Sequence, residues 1–233
     1  MEVRGVTKRF RAVTALDGVS FGIRRGEVLG LIGPNGAGKT TLFECLAGEL
    51  PADDGEVFWN GSPMPATRRK EALFYLPDQI VPWADQPAGR VLSFFARLFD
   101  SDGARLSELA GALRLSRFLS ENVGELSKGE RRRVLLTLGL SVPRAILLLD
   151  EPFDGLDLRQ AREVEGVLRD AAAQGRTLFL SIHQLSDAAR VCDRLVLLSA
   201  GKVAGEGTLE ELRERAGLLH EGGGLEEVFL ALT

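Results

Sequence analysis

The chain has 233 residues, a formal net charge of −4 and a sequence pI near 5.4, a balance that excludes a general nucleic-acid binder, whose surface carries a strongly basic face. The length suffices to bury a sizeable core in one large domain. Cys45 and Cys192 have neither metal nor redox spacing and read as small core residues of a reducing compartment. Residues 1–4 lack the apolar core of a signal peptide, and no run approaches the roughly 18 apolar residues of a membrane span. The expectation is a cytosolic chain, for which any membrane role must work through a partner.

Residues 2–23 mix strand-like segments with turn signals at Asp17-Gly18 and Arg25-Gly26, the pattern of short antiparallel hairpins. Phe10, among polar neighbours, is either an exposed ring able to stack on a flat base or a partly buried packing aromatic. The apolar run 28–32 then meets Gly33-Pro34-Asn35-Gly36-Ala37-Gly38-Lys39-Thr40-Thr41 and a helix start at 42–47. Strand, glycine-rich turn and helix make a phosphate cradle, in which positive φ at Gly33, Gly36 and Gly38 lets successive N–H groups converge on an anion at the positive end of a helix dipole. Lys39 reaches the β- and γ-phosphates, the Thr40 hydroxyl offers an oxygen to Mg²⁺, and Thr41 adds an α-phosphate contact.

Gly48 stops that helix, 55–61 reads as a strand ended by an Asn-Gly turn, and the basic run 68–70 reads as solvated surface. After a strand at 73–76, the proline-rich loop 77–87 is a hinge or a spacer, and apolar residues from 90 to about 120 recur at helical spacing. Ser127 stands three residues before Glu130, as in a capping box, opening a helix that ends near Pro143. The arginines at 131, 132 and 133 point in different directions on that helix and read as solvating it. The apolar run 145–149 closes on Asp150 and Glu151, as in a parallel strand whose carboxyl end reaches a ligand crevice; one acid there helps hold Mg²⁺ and its neighbour can deprotonate water. A turn at 152–157, a helix to about 174, a strand at 177–182 ending at His183, a strand at 194–198 with its turn at Gly201-Lys202, a helix near 208–216 and the segment 225–232 complete the chain, with glycines 222–224 as a flexible joint.

GPNGAGKTT from Gly33, LSKGE from Leu126, ILLLDEP from Ile146, GLD from Gly155 and the pair Ser181 and His183, in that order, resemble the ATP-binding subunits of ATP-binding-cassette (ABC) transporters over nearly the whole chain. The resemblance implies an α/β fold: a P-loop NTPase core with a mostly parallel sheet, an antiparallel β subdomain and a helical subdomain at about 87–143. All lie in a single ATP-binding domain over 1–233, with a C-terminal extension at about 217–233. The implied cofactors are ATP and Mg²⁺. Phe10 matches the aromatic that stacks on adenine, Asp150 the metal-side carboxylate, Glu151 the catalytic base and His183 the residue that contacts the γ-phosphate. Leu126, Ser127 and Gly129 match the signature loop, which reaches the γ-phosphate of a second subunit, and Asp157 matches an interface aspartate.

This sequence departs from the family pattern at three places. Lys128 and Glu130 replace a glycine and a glutamine of the usual signature; Lys128 supplies extra positive charge or is solvated. Where a glutamine usually follows the proline at Pro77, Asp78 stands first and Gln79 second. Gln79 is preferred as the metal-side group, since an amide leaves the local charge unchanged, with Asp78 as the alternative. The implied partners are a membrane-spanning permease docking near this loop and a second ATP-binding subunit, as homodimer or heterodimer, on the cytoplasmic side of the membrane. The ending at 224–232 is similar to bacterial exporter ATPases, which ranks export above import. A non-transport ABC ATPase of DNA repair or the ribosome shares the chemistry but fits less well, because no long coiled coil separates Lys39 from Ser127 and one cassette is present.

Overall fold

The apolar runs have no polar alternate positions because both faces of their strands are covered. The computed structural model describes residues 1–78, 80–218 and 224–233. In chain order the elements are β1 (Glu2–Phe10), β2 (Val13–Gly22), β3 (Val28–Ile32), α1 (Lys39–Ala47), β4 (Asp54–Trp59), β5 (Ser62–Pro63), α2 (Ala66–Arg69), β6 (Leu73–Leu76), α3 (Ala88–Leu98), α4 (Gly103–Ala112), α5 (Lys128–Ser141), β7 (Ile146–Asp150), α6 (Leu158–Ala173), β8 (Thr177–Ile182), α7 (Leu185–Val191), β9 (Arg194–Ser199), β10 (Lys202–Gly207), α8 (Leu209–Arg215) and α9 (Leu225–Leu232). An antiparallel sheet has the order β2-β1-β4-β5, and a larger sheet the order β10-β9-β3-β8-β7-β6, parallel except for the β10–β9 pair.

Successive side chains of a strand face opposite ways, so each central strand serves two cores. Leu29, Leu31, Ile146, Leu148 and Phe179 pack with Phe43 of α1 and with Val3, Val6 and Phe21 of the antiparallel sheet. Val28, Leu147, Leu149, Leu178 and Leu180 pack on the other side with Leu136 of α5, Leu168 of α6 and Val191 of α7. The parallel register brings the carboxyl ends of β3, β6, β7 and β8 to one edge, where a doubly wound sheet holds its ligands.

Several expectations are corrected here. Asp17-Gly18 is no turn: it lies inside β2, where the β1–β2 register shifts and Gly18 takes φ 66°, so the dipeptide marks a bulge. Arg69, expected in a solvated run, is buried and donates to the carbonyls of Met64 (3.1 Å) and Cys45. Arg132 and Arg133, expected on a solvated helix face, are also buried. Arg133 donates from Nε to the carbonyl of Gly129 (3.4 Å) and from Nη1 to that of Leu113 (3.2 Å), with its guanidinium over the Phe118 ring, while its buried Nη2 makes no hydrogen bond. The joint expected at 222–224 falls mostly outside the described residues; Gly224 is the N-cap of α9.

Candidate active site

The loop from Gly33 to Gly38 joins β3 to α1 and is built by glycines for two different reasons. Gly36 and Gly38 take φ 81° and 105°, a region that L side chains avoid. Gly33, expected to share that conformation, does not; its Cβ would instead fall 2.4 Å from the Leu198 carbonyl oxygen of β9. A Cβ on Gly38 would also meet the Ala15 carbonyl, at 2.6 Å. The loop is thus wedged between β2 and β9, which fixes its backbone.

Lys39, 8% exposed, folds over this loop and donates from Nζ to the carbonyls of Gly33 (2.7 Å) and Pro34 (3.4 Å). Thr40 Oγ1 donates to Asp150 Oδ2 across 3.1 Å. Asp150 is 3% exposed at the end of β7, and its other oxygen accepts from the Ser181 hydroxyl. The Tyr75 hydroxyl lies 3.4 Å from Oδ2; burial first, and the Asp150 charge second, push its pKa up, which keeps it a donor. Hydroxyl and carboxylate oxygens are hard donors of the kind that suit Mg²⁺. Among the described residues no group of three or more His, Cys, Asp or Glu could hold a metal ion.

Glu151 takes φ 49°, a left-handed conformation that costs a non-glycine residue about 1–3 kcal/mol. Ser181 holds it there: the Glu151 N–H donates to the Ser181 carbonyl (3.2 Å) and to its Oγ (3.0 Å). The strained turn swings the Glu151 carboxylate toward His183, whose Nδ1 donates to Oε2 at 2.6 Å. A pocket of about 320 Å³ collects Ala15, Lys39, Thr40, Asp78, Asp150 and Glu151 together with the loop residues Pro34, Asn35, Gly36 and Gly38 and with Thr41. A larger cavity of about 580 Å³, bounded by Met1, Ile23, Phe58 and Trp59, contains none of these residues, so chemistry and not volume identifies the site.

Sequence matching decides the family. The profile of the family described as ABC transporter matches residues 16–154. The chain belongs to the ABC transporter family. An ABC transporter ATP-binding protein of Methanocaldococcus jannaschii is 33% identical over 219 residues, spanning 91% of this chain and 79% of that protein. The SkfA peptide export ATP-binding protein of Bacillus subtilis is 30% identical over 220 residues, spanning 93% of this chain and 92% of that one. A solved ATP-binding subunit of an ABC transporter superposes with a TM-score of 0.88 at 30% identity, covering 99% of this chain and 98% of its own. The cassette therefore binds and hydrolyses ATP.

The structure gathers most of the residues named from sequence and leaves others apart. The residues of the phosphate loop, Asp150, Glu151 and His183 form one constellation. Phe10 stands at the end of β1, 46% exposed, with the Lys8 ammonium 5.5 Å from its ring, and it does not line the pocket. Ser127 and Gly129 do not line it either. They open α5, where Ser127 Oγ donates to Glu130 Oε2 (2.7 Å) and accepts from the Glu130 N–H (3.3 Å). Glu130, which departs from the family signature, closes this capping box, and the Ser127 hydroxyl holds its carboxyl below the usual carboxylate range. Lys128 pairs with Asp154 and packs over Gly155. Gln79 lies outside the described residues, whereas Asp78 lines the pocket and pairs with Arg132.

Sequence reading assigned no role to Ser181, Ala15, Tyr75 or Arg132. Ser181 was findable, because it stands two residues before His183 on a strand whose parallel neighbour carries Asp150, and Asp150 and Ser181 are register partners. The contacts of the other three span the fold and leave no local pattern.

Proposed function

We propose that this cassette is the motor subunit of a bacterial-type exporter, in which the Glu151–His183 pair at the mouth of the phosphate loop hydrolyses ATP and a separate permease carries the cargo. That pair is the observation the reading rests on: a carboxylate beside the phosphate pocket, its backbone strained and anchored, its orientation held by a histidine at 2.6 Å. Lys39 and the N–H groups of Gly33 to Thr41 bind the polyphosphate, and Phe10 offers its exposed ring to adenine. Glu151 takes the proton of the attacking water while His183 keeps it oriented and meets the γ-phosphate. Thr40 and Asp150, with Gln79 or Asp78, hold Mg²⁺, which when bound neutralises charge on the phosphate oxygens.

The helical subdomain at about 87–143 carries the signature loop, and about 217–233 forms a C-terminal extension of the same domain. Ser127 and Gly129 sit at a helix N-terminus outside their own chain's pocket, so the phosphate they serve belongs to a second cassette, identical or related, paired head to tail. Asp157 and the 74% exposed Leu158 open α6, whose Gln160 lies against Gly129, and supply the polar and apolar parts of that interface. The permease docks on an aromatic patch reached from the Asp78 loop: Trp83 and Phe94, 45% and 46% exposed with ring centroids 4.5 Å apart, and Leu98, 58% exposed. Clustered exposed apolar groups of this kind mark interaction surfaces. Among the described residues no helix is long and apolar enough to cross a membrane. The proposed attachment to the cytoplasmic side of the membrane runs through this patch and the permease. Export follows the relative from Bacillus subtilis, whose name gives peptide export.

Sedimentation of Glu151→Gln tests the pairing: monomer without nucleotide or with ADP, dimer with ATP, and no dimer when Ser127→Arg is added. An ATP-bound Glu151→Gln chain that stays monomeric alone and in the assembled transporter, or a Ser127→Arg transporter with full ATPase activity, would contradict it.

A further inference from the structure

Arg132 occupies an unusual position for a cation. It sits on the second turn of α5, its side chain 4% exposed, and one guanidinium nitrogen donates to the backbone carbonyl of Asp150 at 3.2 Å while the other donates to the carboxylate of Asp78. It therefore ties three places together: the helix that begins at the signature loop, the end of the strand that carries Asp150, and the loop that leaves β6. Asp78 lies on the boundary of two concavities. On one side it lines the phosphate pocket with Thr40, Asp150 and Glu151; on the other it lines a groove with Lys128, Arg131, Arg132 and Leu135.

A carboxylate on that boundary faces two cations in turn. In the structure its partner is Arg132, which as a guanidinium stays charged and offers a fork of donors. On the pocket side, a divalent ion arriving with ATP attracts the same oxygens. Burial strengthens both attractions, and a carboxylate drawn fully to one cation is lost to the other.

We propose that Arg132 is a positioning residue that competes with the divalent metal for Asp78, so that metal–nucleotide binding is weakened by the ion pair and loosens the tie between α5 and the end of β7. This rests on the metal lying between Thr40 and Asp150. The Asp78 carboxylate and the Arg132 guanidinium then act as a matched pair, each keeping the other's charge compensated when the metal is absent. The extra acid next to Asp150 is tolerated in the structure for that reason.

The test uses the full-length chain, Mn²⁺ as a spectroscopic stand-in for Mg²⁺, and a non-hydrolysable ATP analogue. Free Mn²⁺ is followed by electron paramagnetic resonance, and binding of the analogue without metal is measured in parallel. Arg132→Gln is expected to tighten Mn²⁺-dependent binding about tenfold, in line with the coupling of close charge pairs, and to leave metal-free binding unchanged. The gain should vanish in Asp78→Asn/Arg132→Gln. Equal weakening of both kinds of binding in Arg132→Gln would make Arg132 merely structural, and a gain that survives in the double variant would exclude Asp78; either result overturns the proposal. Should thermal unfolding show Arg132→Gln to be misfolded, Asp78→Asn alone decides: a selective loss of Mn²⁺-dependent affinity supports the proposal, and no change overturns it. Asp150→Asn tests the metal position separately. If metal dependence survives there, the placement between Thr40 and Asp150 is wrong, a failure that leaves the ATPase assignment standing.

Discussion

Ser181 does with one hydroxyl what usually takes several groups: it donates to Asp150 and accepts from the strained Glu151 N–H. Replacing it with alanine leaves Oδ1 of a 3%-exposed carboxylate without its hydroxyl donor and removes one of the two acceptors of the Glu151 N–H, at a cost of about 1–3 kcal/mol in orientation. Ser181→Ala should therefore lower kcat by roughly tenfold to a hundredfold, since each 1.4 kcal/mol is a factor of ten, with a much smaller change in KM. Steady-state kinetics checks this, and an unchanged kcat would mean that the strand alone orients Asp150. Lys39→Ala acts on the other side of the pocket. It removes the charge that meets the phosphates, so nucleotide binding itself should weaken, as titration of a fluorescent ATP analogue would show.

At the level of elements, α5 and β8 carry the separable contributions. The capping box at the start of α5 satisfies two backbone donors, and Ser127→Ala should cost about 1 kcal/mol of stability by loss of the cap. Its pH dependence follows from Glu130, whose carboxyl is held below its ordinary value by the Ser127 hydroxyl, opposed by burial. That contribution is fully present above the unfolded carboxyl range and is lost as pH falls through the lower folded value. Melting curves from neutral to acid pH should show the wild type losing this increment, while Ser127→Ala loses less. In β8, Phe179 is fully buried with ring centroids 4.9 Å from Phe43 of α1 and 5.3 Å from Phe21. Phe179→Ala should cost about 3–5 kcal/mol and loosen the phosphate loop's helix with it, which denaturant titration and hydrogen exchange in α1 would report.

The same elements show what the sequence carries openly. The phosphate loop, the acid pair after β7 and the cap at Ser127 are local patterns in which neighbouring residues do the work, so they are legible in order along the chain. Arg132 and Arg133 are buried because partners from distant segments, Asp78, Leu113 and Phe118, receive them. Three consecutive arginines carry no local trace of that. β10 escaped for the opposite reason: its glycines and charges give no alternation, and its antiparallel pairing to β9 supplies the order. Gly33 was legible as a required glycine but not for its reason, which is the carbonyl of Leu198 across the sheet.

The whole molecule has a proposed division of labour: a loop to hold phosphate, an acid to activate water, and a signature helix to serve a neighbouring chain. The proposed dimer depends on the third of these, and the proposed turnover on the second. The most direct measurement is ATP turnover by purified Glu151→Gln beside its ATP affinity, at saturating Mg²⁺. Affinity near that of the wild type with turnover reduced by about a thousandfold or more is the result expected when a general base is removed from an intact site. Turnover at the wild-type rate would contradict the account, because the water would then be activated by a group other than the carboxylate that Ser181 and His183 hold in place.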